Sequence, residues 1–99
     1  MLGGTMIIPS RIRIKGKFID IVYQDGLVEG KHDALWNPTA RIIIIRQDIS
    51  DGRKWECFIH ELLHAISDMY GIEMTEKQVE KMDGPLSKAM LDIFYRINH

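Results

Sequence analysis

Two histidines and a glutamate, His60, Glu61 and His64, have the types and the spacing to do chemistry on a metal ion. Residues four apart lie on one face of an α-helix, so both imidazoles reach a single ion if this stretch is helical. Two neutral imidazoles are typical Zn²⁺ ligands, and a carboxylate beside the first can take a proton from water at the metal. The pattern predicts a zinc site with Glu61 as the general base.

The residues around this motif predict the helix that it needs. Ser50 or Asp51 is the expected N-cap and Gly71 the expected left-handed C-cap, which gives a helix over residues 53–70. The alternative, an amphipathic helix whose histidines only satisfy local hydrogen bonds, is less favoured in this context. Apolar residues recur at helical spacing through the motif: Phe58, Ile59, Leu62, Leu63, Ile66 and Met69.

A second predicted helix supplies carboxylates for a third metal ligand. It opens at Thr75 with a capping box, and Glu76, Glu80 and Asp83 follow along one flank. The first helix continues about 9 Å beyond His64 before it ends at Tyr70. If the second helix runs antiparallel to it, the second helix must extend back by about that length to face His64. Glu80 lies about that far along the second helix and is therefore favoured as the third zinc ligand, with Glu76 as the main alternative.

Other polar residues have secondary roles in this interpretation. Asp68 lies four residues beyond His64 and is a candidate to orient its imidazole, although a solvated Asp near a helix end is an equal alternative. Cys57 is expected to be a small core residue, because its spacing from the histidines is not a zinc spacing. The candidates for stabilising a transition state are Tyr23, His32, Tyr70 and Tyr95.

Two hairpins are predicted before the motif helix, over residues 11–23 and 34–46. Four consecutive isoleucines in the second hairpin predict a strand that is apolar on both faces. One face should meet the helices, and the N-terminal segment or another copy of the chain should cover the other. After the motif helix, Gly84-Pro85 is expected to kink the last helix, or to end it and start another. Leu86 to Ile97 should give that helix a buried stripe.

Composition narrows the class of protein. The 99 residues suit one domain spanning residues 1–99, with residues 1–5 outside its core and Met6 as an alternative start. A net charge of −1 argues against a nucleic-acid or membrane surface built on bulk charge. A single cysteine and no apolar run of membrane-spanning length predict a cytoplasmic protein.

The sequence from the motif through Tyr70-Gly71-Ile72 to the capping box resembles the small phage-type metallopeptidases, which are similar to the ImmA/IrrE peptidases and to the minimal gluzincin core. The resemblance implies a zincin-like α+β fold, with a small, mostly antiparallel sheet packed against the motif helix and a C-terminal helix. By position, His60 and His64 match the zinc ligands, Glu61 the catalytic carboxylate, and Glu80 or Glu76 the glutamate ligand. The interval to that glutamate is shorter than in larger gluzincins, and Gly84-Pro85 interrupts a helix that is continuous in relatives.

The expected function is that of a zinc-dependent endopeptidase acting on a peptide or protein substrate, which would lie along an exposed strand edge near Trp36. An alternative is a non-catalytic, zinc-stabilised protein-binding module, in which His32, Cys57 or Asp68 closes the fourth zinc position. A DNA-associated regulator is a weaker alternative, because the charge is close to neutral. The Ile-rich sheet is the expected surface of any homo-oligomer.

Overall fold

A computed structural model describes residues 8–98 of the chain as a four-stranded sheet followed by two helices. The strands are β1 (Arg11–Ile14), β2 (Lys17–Gln24), β3 (Ala34–Asn37) and β4 (Ile42–Arg46). The helices are α1 (Asp51–Tyr70) and α2 (Glu76–Asn98). The predicted α+β class is confirmed. The expectations for residues 1–5, and for an N-terminal segment covering the sheet, lie outside the described residues.

Both predicted hairpins are present. Strands β1 and β2 pair antiparallel across a two-residue turn in which Lys15 and Gly16 have φ of 52° and 76°. Two successive positive φ values are those of a type I′ turn, whose twist matches that of the flanking strands. Strands β3 and β4 also pair antiparallel, and the Asn37 side chain accepts a hydrogen bond from the Ala40 amide in the turn between them.

The sheet is mixed, so the prediction of a mostly antiparallel sheet is wrong. Its strand order is β1-β2-β4-β3, and the central strands β2 and β4 run parallel, with Ile21 opposite Ile43. The chain crosses from β2 to the edge strand β3 before β4 returns into the gap between them. Sequence patterns predict each hairpin because its pairing is local, whereas the contact between hairpins depends on this long-range crossing.

The inner face of the sheet packs on α1 and forms the core. Ile19, Ile43 and Ile45 are completely buried there, as is Ile59 of the helix. On the opposite face Ile42 and Ile44 are only partly buried, and Val22 is 40% exposed. The four consecutive isoleucines therefore divide between two environments, as alternation along a strand requires.

The first helix has the caps that its sequence predicts, with a start two residues earlier than expected. The Ser50 hydroxyl accepts a hydrogen bond from the Arg53 amide at 3.1 Å, which makes Ser50 the N-cap. Gly71 ends the helix at φ 66°, in the left-handed conformation that favours glycine. These caps fix the 20-residue helix that carries the histidine motif.

Helix α2 runs without interruption through Pro85, so the alternative in which it ends at Gly84-Pro85 is wrong. The predicted capping box is confirmed, because Thr75 and Gln78 exchange side-chain and backbone hydrogen bonds of 2.8 and 3.1 Å. The expected buried stripe is only partly present: Leu86 and Met90 are half-buried against the core, whereas Ile93 and Ile97 are 56% and 75% exposed. Within residues 8–98, neither helix combines the length and apolar character needed to cross a membrane.

Candidate metal centre

The two histidines of the motif lie one turn apart on the face of α1 that turns towards α2. Their ring centroids are 5.0 Å apart, and the side chains of His60 and His64 are 20% and 26% exposed. The helix places both rings on one side because residues i and i+4 share a face. The neighbouring Ile59 is completely buried and holds this part of the helix in the core.

Glu76, the first residue of α2, joins the two histidines. One carboxylate oxygen lies 2.7 Å from Nε2 of His60, and the other lies 3.1 Å from Nε2 of His64. Ligand atoms from these three residues all fall within 4.8 Å of one another. Two imidazole nitrogens and one carboxylate oxygen thus converge on one point between the helices.

This donor set fits a divalent ion of the zinc type. Tetrahedral Zn²⁺ has ligands at about 2.0–2.2 Å, which places neighbouring ligand atoms roughly 3.3 Å apart. The two contacts between histidine nitrogens and Glu76 oxygens, 2.7 and 3.1 Å, are close to this spacing. Imidazole and carboxylate ligands together suit zinc better than Mg²⁺ or Ca²⁺, which prefer oxygen ligands alone.

Glu80, the predicted third ligand, is not part of this group among the described residues, whereas its alternative Glu76 is. The prediction assumed that only the second helix, and not the connection before it, extends back to the level of His64. Residues 71–75 are instead non-helical, and a non-helical chain can advance up to about 3.3 Å per residue against 1.5 Å in a helix, so few residues suffice to return to the level of His64. The connection therefore delivers the first turn of α2 directly to the histidines, and Glu80 lies one turn beyond them.

Asp83 holds the first histidine from the other side. Its carboxylate accepts a hydrogen bond of 2.7 Å from Nδ1 of His60, so Nε2 is the nitrogen directed at Glu76. Histidine ligands of metals usually make such a hydrogen bond, which fixes the ring and its tautomer. Sequence reasoning considered Asp83 only as a direct ligand and missed this role. The spacing of seven from Glu76, two turns along one face, was the available signal.

These carboxylates also affect the protonation of the ring. Burial by itself would lower the pKa of His60, but the Asp83 hydrogen bond and the charges of Glu61 and Glu76 outweigh it, and the pKa is raised. Both ring nitrogens face carboxylates, an arrangement that stabilises the protonated imidazole. A metal ion would have to compete with that proton, because the ligand form of histidine is neutral.

Glu61 is buried beside the two histidines, with 9% of its surface exposed. The backbone N–H of Trp36, on the edge strand β3, is near enough to this carboxyl to favour its charged form. Burial raises the pKa of this carboxyl, and the charges of His60 and His64 and the Trp36 amide oppose the rise. Among the described contacts, no ion pair joins Glu61 to either histidine, so its carboxylate is not taken up by the candidate ligands.

Two further predictions meet different outcomes. Asp68 is not hydrogen-bonded to His64; its carboxylate accepts the indole N–H of Trp36 at 3.3 Å. It therefore helps to fix the edge strand against α1. Cys57 is a buried core residue, as predicted, and burial raises the pKa of its thiol to about 11.

Two cavities flank Glu61, which lines both. The large cleft has a volume of about 930 Å³ and is lined by Trp36, Pro38, Glu61, His64, Ser67, Asp68, Gly71, Ile72, Glu73, Met74, Thr75 and Gln78. The small cavity has a volume of about 300 Å³ and is lined by His32, Asp33, Ala34, Arg53, Cys57, His60, Glu61, Glu76, Glu80 and Asp83. The candidate ligands therefore lie where the two cavities meet.

The four candidates for transition-state stabilisation separate in space. His32 lines the small cavity together with His60 and Glu61. Tyr23, Tyr70 and Tyr95 line neither cavity in the part of the chain that the structure describes. Of the four, only His32 shares a cavity with the candidate centre.

Comparisons of the chain with models of protein families, with curated proteins and with solved structures give no match. The resemblance to small phage-type metallopeptidases therefore stays a prediction based on the motif residues.

Proposed function

We propose that this protein is a zinc-dependent metallopeptidase that hydrolyses peptide bonds in peptides or proteins. The observation that carries the proposal is the convergence of His60, His64 and Glu76, with the buried carboxylate of Glu61 beside them. Two histidines and one glutamate are a known ligand set of catalytic zinc, in which a fourth position stays open to water. When bound, the ion supplies a Lewis acid and lowers the pKa of water at that position towards about 7.

In this proposal the protein's own groups hold the centre and move the proton. Asp83 orients His60, and the nearby Trp36 amide favours the charged form of the Glu61 carboxylate. Glu61 accepts a proton from the attacking water and returns it to the nitrogen of the leaving amine. Glu61 is assigned this role as general base because it lines both cavities, where water and peptide would meet.

The large cleft is the proposed site for the substrate chain. It passes Trp36 and Pro38 at the end of β3, which is an edge strand of the sheet. An extended peptide can pair with such an edge as an added strand, while its side chains occupy the adjoining cleft. Ile72 and Met74 give this cleft apolar surface on the α1–α2 connection.

A zinc-stabilised binding module is the second proposal, and the fourth zinc position separates it from the first. A structural site would close that position with protein. Among the described residues, His32, Cys57 and Asp68 do not join the convergent group. This arrangement favours the peptidase.

The test compares wild type with Glu61→Gln and His60→Ala. After loading with zinc, we expect about one zinc per chain in wild type and in Glu61→Gln, and little in His60→Ala. Wild type should cleave members of a fluorogenic peptide library, and Glu61→Gln should be slower by about 10²–10⁴-fold. A folded wild type that binds no zinc would refute the metal centre, and a zinc-loaded wild type that cleaves no peptide would favour the binding module.

A further inference from the structure

Attack of water on a peptide carbonyl places negative charge on the carbonyl oxygen, and this oxygen needs hydrogen-bond donors. The small cavity next to the candidate centre is rich in acceptors. Its carboxylates are those of Asp33, Glu61, Glu76, Glu80 and Asp83. These groups disfavour a developing anion, so a donor side chain aimed at the reacting oxygen has a large effect there.

Most donors around the two cavities already have partners. In the large cleft, the Trp36 indole donates to Asp68 and the Ser67 hydroxyl donates to the carbonyl of Ile72. Thr75 and Gln78 are bound to each other in the capping box of α2.

In the small cavity, the Arg53 guanidinium is 3.3 Å from Asp33 and 3.7 Å from Glu56. Asp33 also contacts Arg46 at 3.3 Å, so these charges form a network that holds Arg53 in place. Its donors are therefore largely committed to carboxylates.

His32 is different, because its imidazole has no hydrogen-bond or ion-pair partner among residues 8–98. Its backbone is nevertheless fixed. The Val28 amide donates to the His32 carbonyl at 2.6 Å, and the His32 amide donates back to Val28 at 3.0 Å. Within the described residues, the result is an unpaired imidazole on an anchored backbone, in a residue that lines the same cavity as His60 and Glu61.

We propose that His32 donates an imidazole N–H hydrogen bond to the carbonyl oxygen of the scissile peptide as that oxygen becomes negative. The inference rests on the proposed peptidase function. The water oxygen forms a bond to the carbonyl carbon, the π electron pair moves onto the carbonyl oxygen, and the water proton passes to Glu61. His32 keeps its own proton, and either tautomer of a neutral imidazole offers an N–H.

The experiment compares His32→Ala and His32→Gln with wild type, with Lys31→Ala as a control from the same loop. His32→Ala should lower kcat by about 10²–10³-fold and leave KM within about twofold, because the hydrogen bond strengthens only in the transition state. His32→Gln keeps an N–H donor and should recover at least about tenfold of that loss. Lys31→Ala should match wild type.

Two binding measurements test the role separately from turnover. A phosphonamidate peptide, which mimics the tetrahedral transition state, should bind His32→Ala more weakly by about the factor lost in kcat/KM. Zinc affinity, measured by competition with a chelator, should stay within about threefold of wild type, since His32 is not a ligand in this inference. A loss of zinc affinity above about tenfold would place His32 among the groups that hold the metal, as a ligand or as the support of one, and would overturn the inference.

The remaining outcomes separate this inference from the proposed function. If wild type and Lys31→Ala cleave peptide and His32→Ala cleaves equally well, the role of His32 is refuted and the peptidase proposal stands. If zinc-loaded wild type cleaves no peptide, the peptidase proposal fails and the role of His32 fails with it.

Discussion

The two cavities that meet at Glu61 differ in what surrounds them. The large cleft, at about 930 Å³, has apolar surface from Trp36, Ile72 and Met74. The small cavity, at about 300 Å³, has five carboxylates and the free imidazole of His32. His64 belongs to the first and His60 to the second, so the candidate centre spans the boundary.

From this difference we expect the large cleft to contribute to substrate binding and the small cavity to contribute to metal binding and catalysis. Apolar surface stabilises a bound chain in the ground state and the transition state alike, so changes in the large cleft should act mainly on KM. Charged groups and donors act on the metal and on charge that develops during reaction, so changes in the small cavity should act on zinc affinity and kcat. The predictions below test that division in order of expected effect.

Removing the glutamate that joins the two histidines should have the largest effect. We expect Glu76→Ala to lower zinc affinity by more than about a hundredfold, because loss of a direct ligand exceeds the usual cost of losing its supporting group. Glu80→Ala is the matched control and should change affinity little. Chelator competition measures both. A large loss in Glu80→Ala with little change in Glu76→Ala would restore the original assignment of Glu80.

The thiol of Cys57 tests whether the wall of the small cavity is as desolvated as its burial implies. Its pKa of about 11 keeps the thiol protonated at pH 8, and only the thiolate reacts. Alkylation by iodoacetamide should therefore be about a hundredfold slower than for an exposed cysteine, and should accelerate as the pH approaches 11. The unfolded chain in denaturant is the control. Equal rates for the folded and unfolded protein would show that Cys57 is accessible.

Asp83 tests the support of the metal ligand within the small cavity. Asp83→Ala removes the acceptor for Nδ1 of His60 and should lower zinc affinity by about 10–100-fold. Asp83→Asn keeps an acceptor oxygen without the charge, so its loss should be smaller. Thermal melting of the zinc-free proteins separates this effect from unfolding. Unchanged zinc affinity in both variants would remove Asp83 from the site.

The smallest effect is expected in the large cleft. Ile72 is 51% exposed, so Ile72→Ser should leave stability within about 0.5 kcal/mol while reducing apolar contact with a bound peptide. We expect KM to rise a few-fold for peptides with large apolar residues and kcat to hold. Ile93→Ser, at an exposed position of α2 outside both cavities, is the control. A fall in kcat with KM unchanged would contradict the expectation that the large cleft acts mainly on substrate binding.

Local features of this protein were predictable from the sequence. The hairpins, the caps at Ser50 and Gly71 and the capping box at Thr75 depend on residues that are close in the chain, and each is present. The placement of His60 and His64 on one face also needs only a helix. These predictions hold because the interactions behind them are local.

Predictions that required two distant segments to be placed against each other were less reliable. The parallel pairing of β2 and β4 depends on a crossing between hairpins, and the exposure of Ile93 and Ile97 depends on how α2 packs against the rest of the fold. The prediction for Asp68 had the correct helix but not its actual partner, Trp36, which lies 32 residues away.

The sequence by itself determined that His60, Glu61 and His64 lie together on a capped helix, because helical periodicity and capping act over a few residues. Only the tertiary structure decided that Glu76 contacts these histidines, that Asp83 hydrogen-bonds to His60, and that His32 lines the same cavity as His60. Those placements depend on the non-helical connection at residues 71–75 and on the packing of α2 against α1. A glutamate one turn nearer or farther along the helix has almost the same local sequence signal, and packing alone separates the two.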